Sequence, residues 1–257
     1  MHSPKTSKRH NIKLIIAYFG APYAGWQKTK LGPTIEEILE QTLAKILQHE
    51  VKLQAASRTD AGVHAEGQVV NFFMDSPFNL GRLKISLNGL LPKDIAIVHV
   101  EEMPIHFHPT LDNVKKEYWY HICNGPFQLP FYRQTSWHFP YPIDKEAMCK
   151  ASEHLLRSHD FSAFCNERPL WTRDPICTLE KIEITTLPGQ RFRIAMTSDR
   201  FLFRMARNLA GTLASIGSLK LKTDILSILK SKDRTQAGVT APAHGLTLKQ
   251  VFYDFSQ

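Results

Sequence analysis

Ser57-Arg58-Thr59-Asp60-Ala61-Gly62-Val63-His64-Ala65-Glu66-Gly67-Gln68 lies between an amphipathic helix pattern ending near Gln48 and the apolar run Val69-Val70-Asn71-Phe72-Phe73-Met74. The simplest reading is a loop entering a buried strand, and loops on rigid flanks are where reactive side chains sit. Asp60 stands close to Arg58 and is followed by Gly62, which permits a tight turn that a Cβ would resist. One reading is a carboxylate presented on a bend; the other is a surface turn with a local ion pair. These residues alone leave both open. Asp60 and His64 have the spacing of a helical metal pair, but Gly62 between them disfavours helix and no third ligand is in range, so no metal is expected.

Outward from this loop, on its N-terminal side, Ile12 to Phe19 reads as a buried strand, followed by a loop with Gly20, Pro22, Tyr23, Gly25 and Trp26. Thr34 to Gln48 predicts a helix with Ile35, Ile38, Leu39, Leu43, Ile46 and Leu47 on one stripe and a capping box at Thr34-Ile35-Glu36-Glu37. On the C-terminal side, a helical pattern at Leu83 to Leu91, a turn at Pro92-Lys93-Asp94 and a strand at Ile95 to Val100 follow. Phe107-His108-Pro109 looks like a boundary. The expected organisation is a basic, poorly ordered tail over residues 1–10, one α/β domain over 11–107 and a second over 108–257.

In the second half, Lys115 to Cys123 alternates, with Lys116, Tyr118, Tyr120 and Ile122 on one strand face and Glu117, Trp119 and His121 on the other. A lysine beside two tyrosines suits RNA; half-buried strand aromatics are the plainer alternative. Asp144 to Ser158 is a helix pattern and Arg168 to Pro175 a polar loop with Trp171. Pro188-Gly189-Gln190 joins a hairpin of Lys181 to Leu187 and Arg191 to Thr197. Phe201 to Phe203 leads into a helix with Met205, Leu209, Leu213 and Ile216 buried, beside which Arg204, Arg207 and Asn208 ride. A short helix at Asp224 to Lys230, a basic turn at Lys232-Asp233-Arg234, a turn over 241–246 and a strand at Thr247 to Phe255 complete the chain.

Of 257 residues, 32 are Lys or Arg against 24 Asp or Glu, a net charge of +8 that favours a polyanionic partner. Cys123, Cys149, Cys165 and Cys177 form no C-x-x-C, which argues against a zinc ribbon or a disulfide framework and for reduced thiols in the cytoplasm. The apolar run after the basic start is too short for a signal peptide, and no run suits a membrane span.

Five separated segments together resemble the tRNA pseudouridine synthases of the TruA family. Ser57 to Ala65, with Gly67-Gln68-Val69, resembles the catalytic signature; Lys116-Glu117-Tyr118-Trp119-Tyr120 is similar to the second motif, and Phe201-Leu202-Phe203-Arg204-Met205-Ala206-Arg207-Asn208-Leu209-Ala210-Gly211 to the third. Tyr23-Ala24-Gly25-Trp26-Gln27 and Ala241-Pro242-Ala243-His244-Gly245-Leu246 also fit, in the family's order over residues 12–253. Arg204 replaces a usual His, Ala206 a common Val, and Thr110 an expected Arg.

The resemblance implies an α/β (α+β) fold of two RNA-recognition-like domains sharing a long, mainly antiparallel sheet that floors a basic cleft. It implies an isomerase that turns uridine into pseudouridine at tRNA positions 38 to 40, with no cofactor and no metal, acting as a homodimer. By the same resemblance Asp60 is expected to be the catalytic carboxylate, as nucleophile or as base, with Arg207 as its partner, and Tyr118 to stack on the flipped uracil or move a proton. Arg58, His64, Arg204 and Asn208 are assigned to RNA contact and base flipping, and Tyr118 and Leu246 to substrate binding. A non-catalytic RNA-binding module, or a synthase for another RNA, are the alternatives.

Overall fold

The computed structural model describes residues 9–166 and 174–255. The expected tail lies outside the described residues as far as residue 8, and so does most of the polar loop at Arg168 to Pro175. Among the described residues the fold is mixed α/β, with ten mainly antiparallel strands and five α-helices. Two compact units divide it: residues up to Val114 together with those from Gln250 on, and Lys115–Lys249.

The first unit contains β1 (His10–Tyr18), α1 (Ile35–Leu47), β2 (Gln54–Ala55), β3 (His64–Met74), α2 (Leu80–Leu90) and β4 (Ile95–Met103). β1 is central, antiparallel to β3 (Ile12↔Phe72, Leu14↔Val70) and to β4 (Leu14↔Val100), and Ala55 of β2 pairs with Val70. Ile12, Leu14, Ile16, Val70 and Phe72 are buried with Ile35, Leu39 and Leu43 of α1 and Leu83 and Leu87 of α2. Each such side chain, fully removed from water, contributes roughly 1.5–3 kcal/mol. The Thr34 hydroxyl accepts from Glu37 N–H and starts α1. α2 begins at Leu80, before the expected Leu83, because Asn79 Oδ1 accepts from Arg82 N–H at 2.9 Å and caps it.

Two expectations change here. β3 starts at His64 rather than Val69, since Ala65 already pairs with Tyr18; the polar Glu66 and Gln68 hide the strand in the sequence. The units also part after Val114, not at Phe107-His108-Pro109. Phe107 is buried in the first unit, its carbonyl accepting from Asn11 Nδ2 (2.8 Å), and Tyr253 Oη donates to the Pro109 carbonyl (2.8 Å). Residues from Gln250 on belong to this unit as well.

The second unit holds β5 (Asn113–Asn124) from Lys115 on, β6 (Trp137–Phe139), α3 (Lys145–Glu153), β7 (Arg157–Asp160), β8 (Ile176–Leu187), β9 (Arg191–Ser198), α4 (Met205–Gly217), α5 (Ile225–Ser231) and the start of β10 (Leu246–Tyr253). Strands β5, β9, β8 and β7 run antiparallel in that order, and β6 lies parallel to β5. The β8–β9 hairpin turns through Gly189 (φ 77) and Gln190 (φ 55), at the predicted place. α3 stops at Glu153, short of the expected Ser158, because Leu155 turns into the core and Arg157 takes φ 83, which no helix accommodates. Residues 157–160 then form β7. α4 is buried on nearly every side, and it approaches α3 closely at Gly217, where a Cβ would lie 2.7 Å from Met148 Cγ.

Candidate active site

In the first unit the 57–63 loop is held through its backbone. Gln68 Nε2 donates to the Ser57 carbonyl (2.6 Å), Trp26 N–H to the Thr59 carbonyl (3.0 Å), and Val63 N–H to the Asp60 carbonyl (3.1 Å). The last bond closes a turn whose third residue, Gly62, sits at φ 80, where a side chain is strained. Thr59 is buried and its hydroxyl shares a 2.7 Å hydrogen bond with Tyr18 Oη. Glycines close the clamp. A Cβ on Gly20 would stand 1.9 Å from the Val63 carbonyl oxygen, and one on Gly25 (φ 98) would meet the Thr59 carbonyl oxygen at 2.9 Å, Ala61 N at 3.0 Å and the Asp60 carbonyl carbon at 3.1 Å. The segment Tyr23 to Gln27 is therefore a backbone buttress for Asp60 rather than a free aromatic loop.

On this clamped turn Asp60 is half-buried and Arg58 exposed. His64 is not presented beside them. It is 5% exposed, its ring stacks on Phe19 (centroids 4.7 Å apart), and its Nδ1 accepts from Gly20 N–H at 3.0 Å, which makes it the Nε2–H tautomer. The expected flipping role for His64 meets a side chain used in packing. Thr110, which stands where the family pattern leads one to expect Arg, donates its hydroxyl to the Ala55 carbonyl (2.7 Å), tying the 107–112 turn to β2.

In the second unit Tyr118 and Tyr120 are both buried. The Tyr118 ring stands edge-on to Phe201 at 4.9 Å. Tyr120 Oη donates to the Pro242 carbonyl (2.9 Å), and burial pushes its phenol well above the ordinary value. A Cβ on Gly245 would lie 2.6 Å from Tyr120 Cζ, so the 241–246 turn is shaped to this ring; Leu246, buried, begins β10 there. Lys116, on the same strand face, has no carboxylate partner among the described residues, and burial lowers its ammonium to about 8. On the opposite face Trp119 donates to Glu117 (2.6 Å), and Arg193 and Lys249 each lie 4.3 Å from its ring centroid.

Arg204, at the start of α4, is exposed, adopts φ 60 and lies 4.9 Å over the Phe203 ring. Arg207 is half-buried and its Nε donates to the Ala241 carbonyl at 2.8 Å. Asn208 departs from expectation. It is fully buried, donating Nδ2 to the Phe164 carbonyl and to Asn166 Oδ1 (both 2.7 Å), while its Oδ1 accepts from Thr240 (2.7 Å) and Arg234 (3.0 Å). With every polar atom used internally, Asn208 organises the unit and has none left for RNA. The pKa of His244, which the sequence reading named only as part of the late motif, is lowered by burial and by the Arg207 charge, against a raising hydrogen bond with the Ser136 backbone.

All four cysteines are thiols, and among the described residues no three His, Cys, Asp or Glu side chains gather as a metal-binding group. Nor, among them, is any helix long and apolar enough to cross a membrane.

A family model described as tRNA pseudouridine synthase matches residues 14–112 and 151–254. The tRNA pseudouridine synthase A 2 of Protochlamydia amoebophila (strain UWE25) is 50% identical over 95% of this chain and 94% of its own length. The tRNA pseudouridine synthase A of Thermoanaerobacter sp. (strain X514) is 39% identical over 95% of this chain and 99% of its own. Pseudouridine synthases are isomerases, and with such coverage over both units, this chain belongs to the tRNA pseudouridine synthase family.

Proposed function

We propose that this protein isomerises uridine to pseudouridine in the anticodon stem-loop of tRNA, at positions 38 to 40, with Asp60 as the catalytic carboxylate. The observation that carries this reading is the clamped turn: the single acid of the family signature stands on a backbone fixed by Gly20, Gly25 and Gly62. Preorganisation of a reactive group is what such a reaction requires. In the reaction the N1–C1′ bond breaks, the uracil turns, C5 joins C1′, and the C5 proton is lost as N1 gains one. Atoms and electrons balance within the nucleotide, so no cofactor is needed. Asp60 acts at C1′ or on the uracil as nucleophile or base. Arg207 is assigned as the cationic partner of Asp60, the role that the family resemblance gives it.

Tyr118 is assigned to the extruded uracil, and Leu246 to the same substrate. Extrusion costs a few kcal/mol of lost stacking, which Arg58 and Arg204, both exposed, are suited to offset through phosphate or base contacts. The protein is assigned to the cytoplasm as a homodimer, its excess of Lys and Arg supplying affinity rather than base choice. The test is to incubate the purified chain with unmodified tRNA transcripts carrying single uridines at 38, 39 or 40 and to map pseudouridine by carbodiimide adducts. Conversion confined to these positions is expected. Conversion only elsewhere in tRNA, or only in another RNA, would overturn the assignment.

Lys116 adds a pH dependence. Its folded-state value, about 8, lies below the ordinary lysine value, so the free protein bears the cost of a buried ammonium below pH 8 and gains stability as pH rises from there towards the unfolded value. A bound phosphate has the opposite preference and holds the ammonium charged. Affinity for tRNA is therefore expected to weaken as pH rises through 8 to 9, and Lys116→Met to flatten that dependence, as read by filter binding at constant ionic strength. An unchanged pH profile in the variant would remove Lys116 from RNA binding.

A further inference from the structure

In the second unit a strap from Gly238 to Ala241 runs along the N-terminal half of α4. Gly238 N–H donates to Thr212 Oγ1 (3.0 Å), and a Cβ on Gly211 would stand 1.8 Å from the Val239 carbonyl oxygen. Thr240 Oγ1 donates to Asn208 Oδ1 (2.7 Å), and Ala241 N–H to the Arg207 carbonyl (3.2 Å). Arg207 returns that contact through its side chain, Nε–H to the Ala241 carbonyl (2.8 Å). A carbonyl on the strap is thus one of the groups that hold the Arg207 guanidinium.

Arg234 braces the strap at two points, Gly238 and Thr240. Its Nη1 donates to the Gly238 carbonyl (2.8 Å), and its Nη2 to Thr240 Oγ1 (2.8 Å) and Asn208 Oδ1 (3.0 Å). None of these acceptors is a carboxylate, burial lowers the Arg234 pKa below its usual value, and its Nε is buried without a hydrogen-bond partner among the described residues. Holding a cation this way is unfavourable by itself. What the position requires is the planar fork, which reaches three acceptors in one geometry and which lysine lacks.

We propose that Arg234 is a positioning residue for Arg207, holding Gly238 and Thr240 so that the Ala241 carbonyl directs the Arg207 guanidinium. The consequence for turnover rests on the function proposed above. The placement itself does not.

Two readouts on the full-length chain separate them. In 15N-edited NMR the Arg207 Nε–H resonance, assigned by its loss in Arg207→Lys, is expected to be slow to exchange in the wild type. It should exchange at least about ten-fold faster in Arg234→Met and in Arg234→Lys, with the fold intact by circular dichroism. Where the Met variant does not fold, the Lys variant, which keeps the charge, decides. Unaltered exchange in a folded variant would overturn the proposal.

In turnover, Arg234→Lys is expected to lower kcat by about ten- to a hundred-fold, the scale of a small misplacement, with KM within about two-fold of wild type. On an Arg207→Ala background the same substitution should lower kcat no further, the signature of two residues acting through one. Additive losses would overturn the link to catalysis. A wild type that leaves tRNA uridine unchanged counts against the proposed function, and the NMR readout then still decides the placement.

Discussion

Asp60→Asn is expected to bind tRNA within about two-fold of the wild type and to lower pseudouridine formation by about 10⁴-fold or more, the scale of losing a reactive group. Asparagine keeps the shape of the side chain and removes the carboxylate, which neither a nucleophilic nor a basic role survives. The scaffold should tolerate the change, because the contacts that shape the turn are made by backbone: Val63 N–H to the Asp60 carbonyl, Trp26 N–H to the Thr59 carbonyl and Gln68 to the Ser57 carbonyl. Single-turnover conversion with the transcript bound, together with a thermal melt, checks this. Appreciable conversion by a folded Asp60→Asn protein would move the chemistry to another residue.

The second large effect is expected from Gly25→Ala, a change that touches no reactive atom. At φ 98 an L-residue is strained, by about 1–2 kcal/mol in the left-handed region. The new methyl would also meet three backbone atoms of residues 59–61 at 2.9, 3.0 and 3.1 Å, none of which can swing aside as a side chain tip would. Relief requires the Asp60 backbone to shift by some tenths of an ångström. A fall in kcat of about ten- to a hundred-fold is expected, larger than any change in tRNA affinity. Gly89→Ala is the control. Gly89 lies in α2 with nothing within 4 Å of its Cβ position, so alanine there should leave kcat alone and raise stability by about 0.5 kcal/mol. Equal kinetics for both alanine variants would mean that the buttress does not position Asp60.

Much of this fold was legible along the chain. The apolar stripe and capping box predicted α1, the alternation in Lys116 to Ile122 predicted β5, and Pro188-Gly189-Gln190 predicted its hairpin. Each of these signals lies within a few consecutive residues. Where the reading departed from the fold, the cause was a neighbour distant in sequence: Tyr18 drawing His64 and Ala65 into β3, or Asn11 and Tyr253 holding residues 107–109 in the first unit. α3 ended early because Arg157 takes φ 83 and opens a strand that pairs with residues 176–179, which the helical pattern of Asp144 to Ser158 does not record.

The site divides in the same way. The family signature, Asp60 as its acid, the Lys-x-Tyr-x-Tyr strand and the basic balance were all determined by the sequence, since they are matters of residue type and order. Only the tertiary structure decided that His64 and Asn208 are packing and network residues, that the glycines at 20 and 25 are the wall behind Asp60, and that Arg234 reaches the strap beside Arg207. The physical reason is that burial and hydrogen-bond partnership depend on what packs against a side chain, and in each of these cases the partner comes from a separate segment of the chain.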